Sequence, residues 1–447
     1  MQDRDRVQSV AREKAVIVRV ILSDDESDLD PLDELEGLAK TSGARVVSSM
    51  TQRRESPDVT TFLGSGKVEE LKRLVEMHDA DVVLFDNNLN PGQTRNLEKT
   101  LGIKVLDRTE LILDIFASNA QTHESRLAVE LAQMEYSLPR LKRLWTHLSR
   151  IKMGIGMRGP GEKQLETDRR LAEKRIYDLR DELRTIEKRK ERQVAARCDH
   201  MTVSLVGYTN AGKSTLMNAL TDANVLAQDK LFATLDTRTR RWQLPNWGPV
   251  LLSDTVGFIR DLPHSLIASF KATLEESRQA DLLLHIADAS NPAVLQQIAA
   301  VYTVLEEIGI QAKDALLVVN KIDRPGATAF LEGVLNRYPN AIPISAKTQQ
   351  GFDRLAHAVS DALSRSFFDV DIETGVGNGK LMAFLAAHGE VLSSRYSDDR
   401  VTIHCRIPHR HLSRIHEADT IVRPHENGQA VDAPAVQTDS QPVEDVA

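Results

Sequence analysis

Short apolar runs alternate with amphipathic stretches along the first quarter of the chain. Residues 14–22 (KAVIVRVIL), 45–49 (RVVSS), 81–86 (DVVLFD) and 104–107 (KVLD) are compact and rich in β-branched residues, which predicts buried strands. Segments between them, such as 67–77 and 93–101, carry apolar residues at helical spacing. That alternation predicts an α/β domain with a largely parallel sheet over residues 1–120. The period then changes. Leu127, Leu131, Met134, Leu138, Leu141, Trp145 and Leu148 step by four and three, with Pro139 as a candidate bend. Beyond a glycine-rich break at 153–162 (MGIGMRGPGE), Ala172, Ile176, Leu179, Leu183 and Ile186 repeat the step. Two such stripes predict an antiparallel helical hairpin over 121–197. Strand and helix patterns alternate again over 198–367, a second α/β domain. A helix-like KLMAFLAAHG and a strand-like RVTIHCRIP predict a small α+β domain over 368–423. The stretch 424–447, rich in Pro, Gln, Asp and Ala, predicts disorder.

Composition narrows the class. A chain of 447 residues exceeds one ordinary core, which agrees with several domains. Its 41% hydrophobic and 27% charged residues describe a globular protein, and no apolar run is long enough to span a membrane. The charged start MQDRDRVQSVAREK lacks the apolar centre of a signal peptide, so a cytoplasmic location is expected. Two cysteines, Cys198 and Cys405, argue against a disulfide framework or a thiolate zinc site. The net charge of −8 is unevenly spread: residues 140–197 hold 18 basic against 9 acidic side chains, so that stretch carries +9 and the remainder −17. A basic element on an acidic body is either a footprint for RNA phosphate or the solvated face of a charged coiled coil.

Candidate chemistry concentrates in the second α/β domain. An apolar strand pattern, then Gly207-Tyr208-Thr209-Asn210-Ala211-Gly212-Lys213-Ser214-Thr215, then a helix pattern is the arrangement of a phosphate-binding loop. Backbone amides and the helix N-terminus would face the phosphates, Lys213 would reach the β and γ phosphates, and the Ser214 hydroxyl would ligate Mg²⁺. Asp254, ending the strand pattern PVLLSD, would approach the metal through a water, and the segment Asp254-Thr255-Val256-Gly257 would present the Gly257 amide to the γ phosphate. Upstream, Thr234, Thr237 and Thr239 are each candidates to close over the nucleotide. Asn320-Lys321-Ile322-Asp323 follows the apolar run 314–319, and Ser345-Ala346-Lys347 follows another. The Asp323 carboxylate can accept from both N1–H and the exocyclic amine of guanine, a donor pair adenine lacks, so the set selects GTP and GDP. Lys321 would cover the base, and Asn320 would tie this loop to the phosphate loop. Phe258 follows Gly257 where a water-orienting side chain would be useful, so unaided hydrolysis is expected to be slow. GSGK at 64–67 lacks the full loop spacing and predicts only a turn before a helix.

The ordered set GYTNAGKS, FATLD, DTVGF, NKID and SAK resembles the Obg-HflX group of P-loop GTPases, and FDNNLNPGQTRNLE with GIGMRGPGEKQLETDRR is similar to motifs of the HflX family. The resemblance implies an N-terminal α/β domain, a helical hairpin, a Ras-like G domain and a small α+β C-terminal domain. It makes Thr234 the first-switch threonine and a third candidate Mg²⁺ ligand. Asn210 matches an asparagine that holds a monovalent cation, K⁺, in related potassium-activated GTPases; as a residue it is equally an ordinary polar loop position. The same resemblance implies binding to the large ribosomal subunit and its RNA, and a role in splitting stalled ribosomes under stress, with the protein at the ribosome or a membrane surface. Arg158 and Lys163 in the glycine-rich segment are the candidate RNA contacts. A nucleotide-gated binding switch, with hydrolysis as a timer, is the competing reading.

Overall fold

The computed structural model describes residues 12–23, 32–144, 160–195, 201–221, 231–232, 237–244, 248–260, 277–307, 309–310, 315–364, 367–388, 390–397, 399–408, 412, 415 and 420–425. The chain divides into two compact units, Met1–Ser360 and Asp361–Ala447.

The first unit opens with β1 (Lys14–Leu22), α1 (Asp33–Ser42), β2 (Arg45–Arg54), α2 (Ser65–His78), β3 (Val82–Phe85), α3 (Pro91–Leu101), β4 (Lys104–Leu106) and α4 (Arg108–Asn119). The strands form a sheet in the order β2-β1-β3-β4, every neighbouring pair parallel. β1 is buried on both faces, which explains its unbroken apolar run: Val16 and Val18 join a core with α2 and α3, Ala15 and Ile17 one with α1 and α4. The segment FDNNLNPGQ is used structurally. Asn87 closes two hydrogen bonds with the Val20 backbone, at 2.8 and 2.9 Å. Asn90 and Gln93 form a reciprocal capping box at the start of α3, with Pro91 at a position that has no hydrogen bond to lose. Gly64 is the N-cap of α2 and Ser65, Gly66 and Lys67 form its first turn, with Lys67 pairing with Glu70 at 2.8 Å, so GSGK begins the helix where a turn before it was expected.

Two long helices follow, α5 (His123–Leu144) and α6 (Pro160–Ala195). Leu127, Ala128, Leu131 and Ala132 share a buried cluster with Ile176, Leu179 and Leu183. Glu124 pairs with Lys190 at 2.7 Å and Glu130 with Arg175 at 2.8 Å, so the helices run antiparallel. Part of the basic excess is spent on this seam. α5 continues through Pro139. α6 starts at Pro160, inside the segment 153–162 expected as loop, because proline is preorganised for a first helical position and GEKQLE after it favours helix. Trp145 and Leu148 of the predicted stripe, and residues 145–159 generally, lie outside the described residues.

The remaining elements are β5 (Thr202–Gly207), α7 (Lys213–Thr221), β6 (Arg238–Leu244), β7 (Gly248–Asp254), β8 (Leu282–Asp288), α8 (Val294–Glu307), β9 (Ala315–Asn320), α9 (Ala327–Arg337), β10 (Ile342–Pro343) and α10 (Phe352–Ser364). Their sheet has the order β10-β9-β8-β5-β7-β6, and only the β6–β7 pair is antiparallel. The carboxyl ends of β5, β7, β8, β9 and β10 therefore share one edge, where ligands of open α/β sheets bind.

The second unit holds β11 (Phe367–Gly375), α11 (Gly379–His388), β12 (Glu390–Ser397), β13 (Arg400–Pro408) and β14 (Ile421–Pro424). It is an antiparallel sheet, β12-β13-β11-β14, over a core that includes Val370, Ile372, Leu385, Ile403 and Ile407. Residues 426–447 of the stretch expected to be disordered lie outside the described residues. No helix among the described residues is long and apolar enough to cross a membrane.

Candidate nucleotide-binding site

The loop Gly207–Ser214 turns from β5 into α7, as strand propensity before it and helix propensity after it require. Gly212 has φ +96°, and a Cβ there would lie 2.3 Å from the Asn320 side-chain nitrogen, so the loop closes only with glycine at this position. Lys213 is buried, and its Nζ donates to the carbonyls of Gly207 at 3.1 Å and Tyr208 at 2.9 Å. Those bonds use two of its three protons and leave one for a phosphate. Burial, with a smaller contribution from Lys321, lowers its pKa to about 8 against the pull of Asp254. Thr215 is exposed on α7.

The Ser214 hydroxyl donates to Asp254 Oδ2 at 2.6 Å, at the end of β7. A hydroxyl beside a buried carboxylate is a hard oxygen donor set that suits Mg²⁺. The Thr255 hydroxyl turns inward to the Leu205 carbonyl at 2.7 Å, and Val256 is buried. Gly257 lies against the phosphate loop: a Cβ there would meet Thr209 Cα at 2.8 Å and Lys213 Nζ at 2.9 Å. The next residue fastens the two segments, since Phe258 N–H donates to the Gly207 carbonyl at 3.0 Å and Thr209 N–H to the Phe258 carbonyl at 2.7 Å.

At the other end, the Asn320 side chain donates to the Ala211 carbonyl at 2.9 Å and accepts from the Ala346 amide at 2.9 Å, joining three loops through one amide. Lys321, held at φ +64°, donates to the Asn210 carbonyl at 2.6 Å and to Asp288 at 2.7 Å. Asp323 is exposed and accepts from the buried Ser345 hydroxyl at 2.7 Å, which aims the carboxylate. Lys347 is exposed. Asn210 is exposed at φ +60°. The structure thus brings together the phosphate-loop, DTVG, NKID and SAK residues. Thr234 and Arg158 lie outside the described residues, and Lys163 is described only as a position near the start of α6.

Two groups here have no assignment from sequence. Asp288 anchors Lys321; its signal was a carboxylate ending an apolar strand, as Asp254 does. The other group is a buried ionic cluster reaching the site from the N-terminal sheet. Arg108 contacts Asp86 at 2.5 Å, Glu34 at 2.7 Å and the Arg260 carbonyl at 3.0 Å. Arg260 reaches Asp86 at 2.9 Å, and Arg19 does so at 3.2 Å. Tyr208 of the phosphate loop donates its hydroxyl to Glu34 and accepts from the Arg260 amide at 2.8 Å. Burial alone would lower the Arg108 pKa, but Glu34 and Asp86 outweigh it and raise the pKa above its usual value. Burial also pushes Asp86 up, opposed by three guanidiniums. Beside this cluster Tyr208, Val256, Phe258 and Ile259 share an apolar core with Leu111, Ile112 and Phe116 of α4. Phe258 is 4% exposed, so its ring packs and cannot orient a water.

Comparison with known proteins gives three consecutive family matches: "GTP-binding GTPase N-terminal" over residues 30–117, "GTP-binding GTPase Middle Region" over 119–197, and "50S ribosome-binding GTPase" over 202–321. The chain is 49% identical over 357 residues to the GTPase HflX of Escherichia coli (strain K12), covering 79% of this chain and 84% of that one. It is 44% identical over 398 residues to the GTPase HflX of Lacrimispora saccharolytica, covering 89% and 94%. A crystal structure of a GTP-binding protein from the archaeon Sulfolobus solfataricus in complex with GDP aligns with TM-score 0.42 at 24% identity, covering 78% of this chain and 99% of that one. With relatives this similar over most of both chains, and with the phosphate loop, DTVG, NKID and SAK segments gathered on one sheet edge, the chain belongs to the HflX family of GTPases.

Proposed function

We propose that this chain is a GTP hydrolase, slow alone, that binds the large ribosomal subunit through its RNA and uses its cycle to split or rescue stalled ribosomes under stress. The observation that carries the guanine reading is the Asp323 carboxylate, aimed by Ser345 and linked through Asn320 to the phosphate loop. The family match described as a 50S ribosome-binding GTPase supports the partner. The buried Phe258 supports slow unaided turnover.

Within this reading Ser214 and Thr234 would hold Mg²⁺, with Asp254 acting through a water, and the ion would supply positive charge for the β and γ phosphates. Lys213 gives its remaining proton to the phosphates, the amides of residues 209–215 cradle them, and Gly257 N–H meets the γ phosphate. K⁺ at Asn210 would add positive charge where an arginine is otherwise supplied by a partner. Arg158 and Lys163 contact ribosomal RNA, so association weakens with salt. The test is GTPase rate with and without large subunits, in potassium and in sodium. Stimulation by subunits supports the proposal, and an identical rate in all four conditions refutes it.

The ionic cluster around Arg108 favours a second reading, in which GTP binding sets the position of the N-terminal domain and hydrolysis only times release. Splitting assays separate the two. Equal splitting with GTP and a non-hydrolysable analogue supports the switch; splitting with GTP alone supports the hydrolytic engine.

A further inference from the structure

Among the described residues one group of three metal-ligating side chains is gathered outside the nucleotide site: Asp371, His404 and His425, whose donor atoms all lie within 4.8 Å of one another. It sits in the second unit, which none of the three family matches reaches. Sheet register makes the group. Asp369 and Asp371 are two apart on β11, on the face opposite the core residues Val370 and Ile372. His404 on β13 stands opposite Asp371, and β14 pairs along the other side of β11. One residue past β14, the His425 amide donates to the Asp369 carbonyl at 3.0 Å, which fixes where its ring emerges.

The side chains are arranged as partners of a cation. His404 Nε2 lies 2.5 Å from Asp369 Oδ1, and His425 Nδ1 lies 2.9 Å from Asp371 Oδ2. The two imidazoles stack with centroids 3.6 Å apart and planes 12° apart. Two imidazoles beside carboxylates are the donor set of borderline transition ions such as Zn²⁺; Mg²⁺ and Ca²⁺ prefer oxygen alone.

We propose that Asp371, His404 and His425 bind one divalent transition metal of the zinc class. Asp369 serves as a fourth ligand or as the carboxylate that orients His404 from outside the coordination sphere. Ligands about 2.0–2.2 Å from one ion lie roughly 3–4 Å apart, a spacing within reach of donor atoms that already lie within 4.8 Å of one another. The strands already fix the backbone. Such a bond would tie the end of β14 to β11 and β13, a useful staple in a unit with a small apolar core.

The test uses the full chain saturated with Mg²⁺ and GDP, titrated with Co²⁺ as a visible stand-in and then with competing Zn²⁺. One equivalent should give the absorption of four-coordinate Co²⁺ and be displaced by Zn²⁺. His404→Gln and His425→Gln should each weaken binding by at least tenfold while GDP affinity stays unchanged. X-ray absorption of the Zn²⁺-loaded wild-type chain, which needs no variant, should show two imidazoles and oxygen. An all-oxygen shell, a sulfur ligand, or equal Co²⁺ affinity in wild type and both variants would overturn the proposal.

Discussion

Tyr208→Phe removes one oxygen from the junction between the phosphate loop and the N-terminal domain and leaves the ring in its apolar pocket. That oxygen accepts from Arg260 N–H at 2.8 Å and donates to Glu34. The side chain is 7% exposed, so water replaces the lost bonds poorly. An unsatisfied donor at such a site costs about 1–3 kcal/mol, charged to the arrangement in which Phe258 is fastened across the phosphate loop. The contacts of Arg108 with Glu34 and of Arg260 with Asp86 persist, so the N-terminal domain should stay folded. On the proposed function, GTP would turn the Gly257 segment toward a γ phosphate, and GDP would not. The variant should therefore gain affinity for a non-hydrolysable GTP analogue relative to GDP by roughly tenfold, the equivalent of about 1.4 kcal/mol. Stopped-flow titration with fluorescent nucleotides measures the ratio. An unchanged or lowered ratio, in a variant that melts as a folded protein, refutes the idea that this junction restrains the switch.

Three further substitutions or conditions bear on the site. Asp323→Asn should exchange guanine for xanthine preference, with GDP affinity falling on the order of 10²-fold or more while XDP affinity rises; competition titration of the two nucleotides decides it. Gly212→Ala drives a methyl into Asn320, 2.3 Å away, and strains a left-handed residue, so GDP binding measured by calorimetry should drop at least roughly 100-fold. Lys213 has a pKa of about 8 in this structure, and phosphate raises it. Below that pH the ammonium is already charged and binding is indifferent to pH; above it a proton must be taken up, and affinity falls by up to roughly tenfold per pH unit. Calorimetry above pH 8 in buffers of different ionisation enthalpy should register that uptake, and its absence would show the lysine already protonated.

Much of this was legible because the motifs are local. The strand, loop and helix around residues 202–221, the NKID and SAK segments and the apolar stripes of the hairpin carry their spacing in consecutive residues, and a parallel sheet then delivers its loops to one edge. The cluster around Arg108 was not legible, since its members Arg19, Glu34, Asp86, Arg108, Tyr208 and Arg260 are spread over more than 240 positions and none looks unusual alone. FDNN resembles a family motif, yet its chemistry, a buried carboxylate and an asparagine completing a strand, emerges only when β1 and β3 are side by side. Asp288 is a lone aspartate after an apolar run and belongs to no motif. The two histidines of the second unit meet through sheet register, which no spacing along the chain reveals. The start of α6 at Pro160 falls in a stretch whose glycines and proline signal a break, yet proline at a first helical position begins a helix.

The proposal is that guanine nucleotides bind at the phosphate-loop, DTVG, NKID and SAK segments while the position after Gly257 cannot direct the attacking water, because Phe258 is packed away. Single-turnover GTP hydrolysis by the purified chain, with and without large ribosomal subunits, tests it most directly. The account predicts a slow intrinsic step that subunits accelerate by at least an order of magnitude. A fast step in the chain alone, unchanged by subunits, would contradict it.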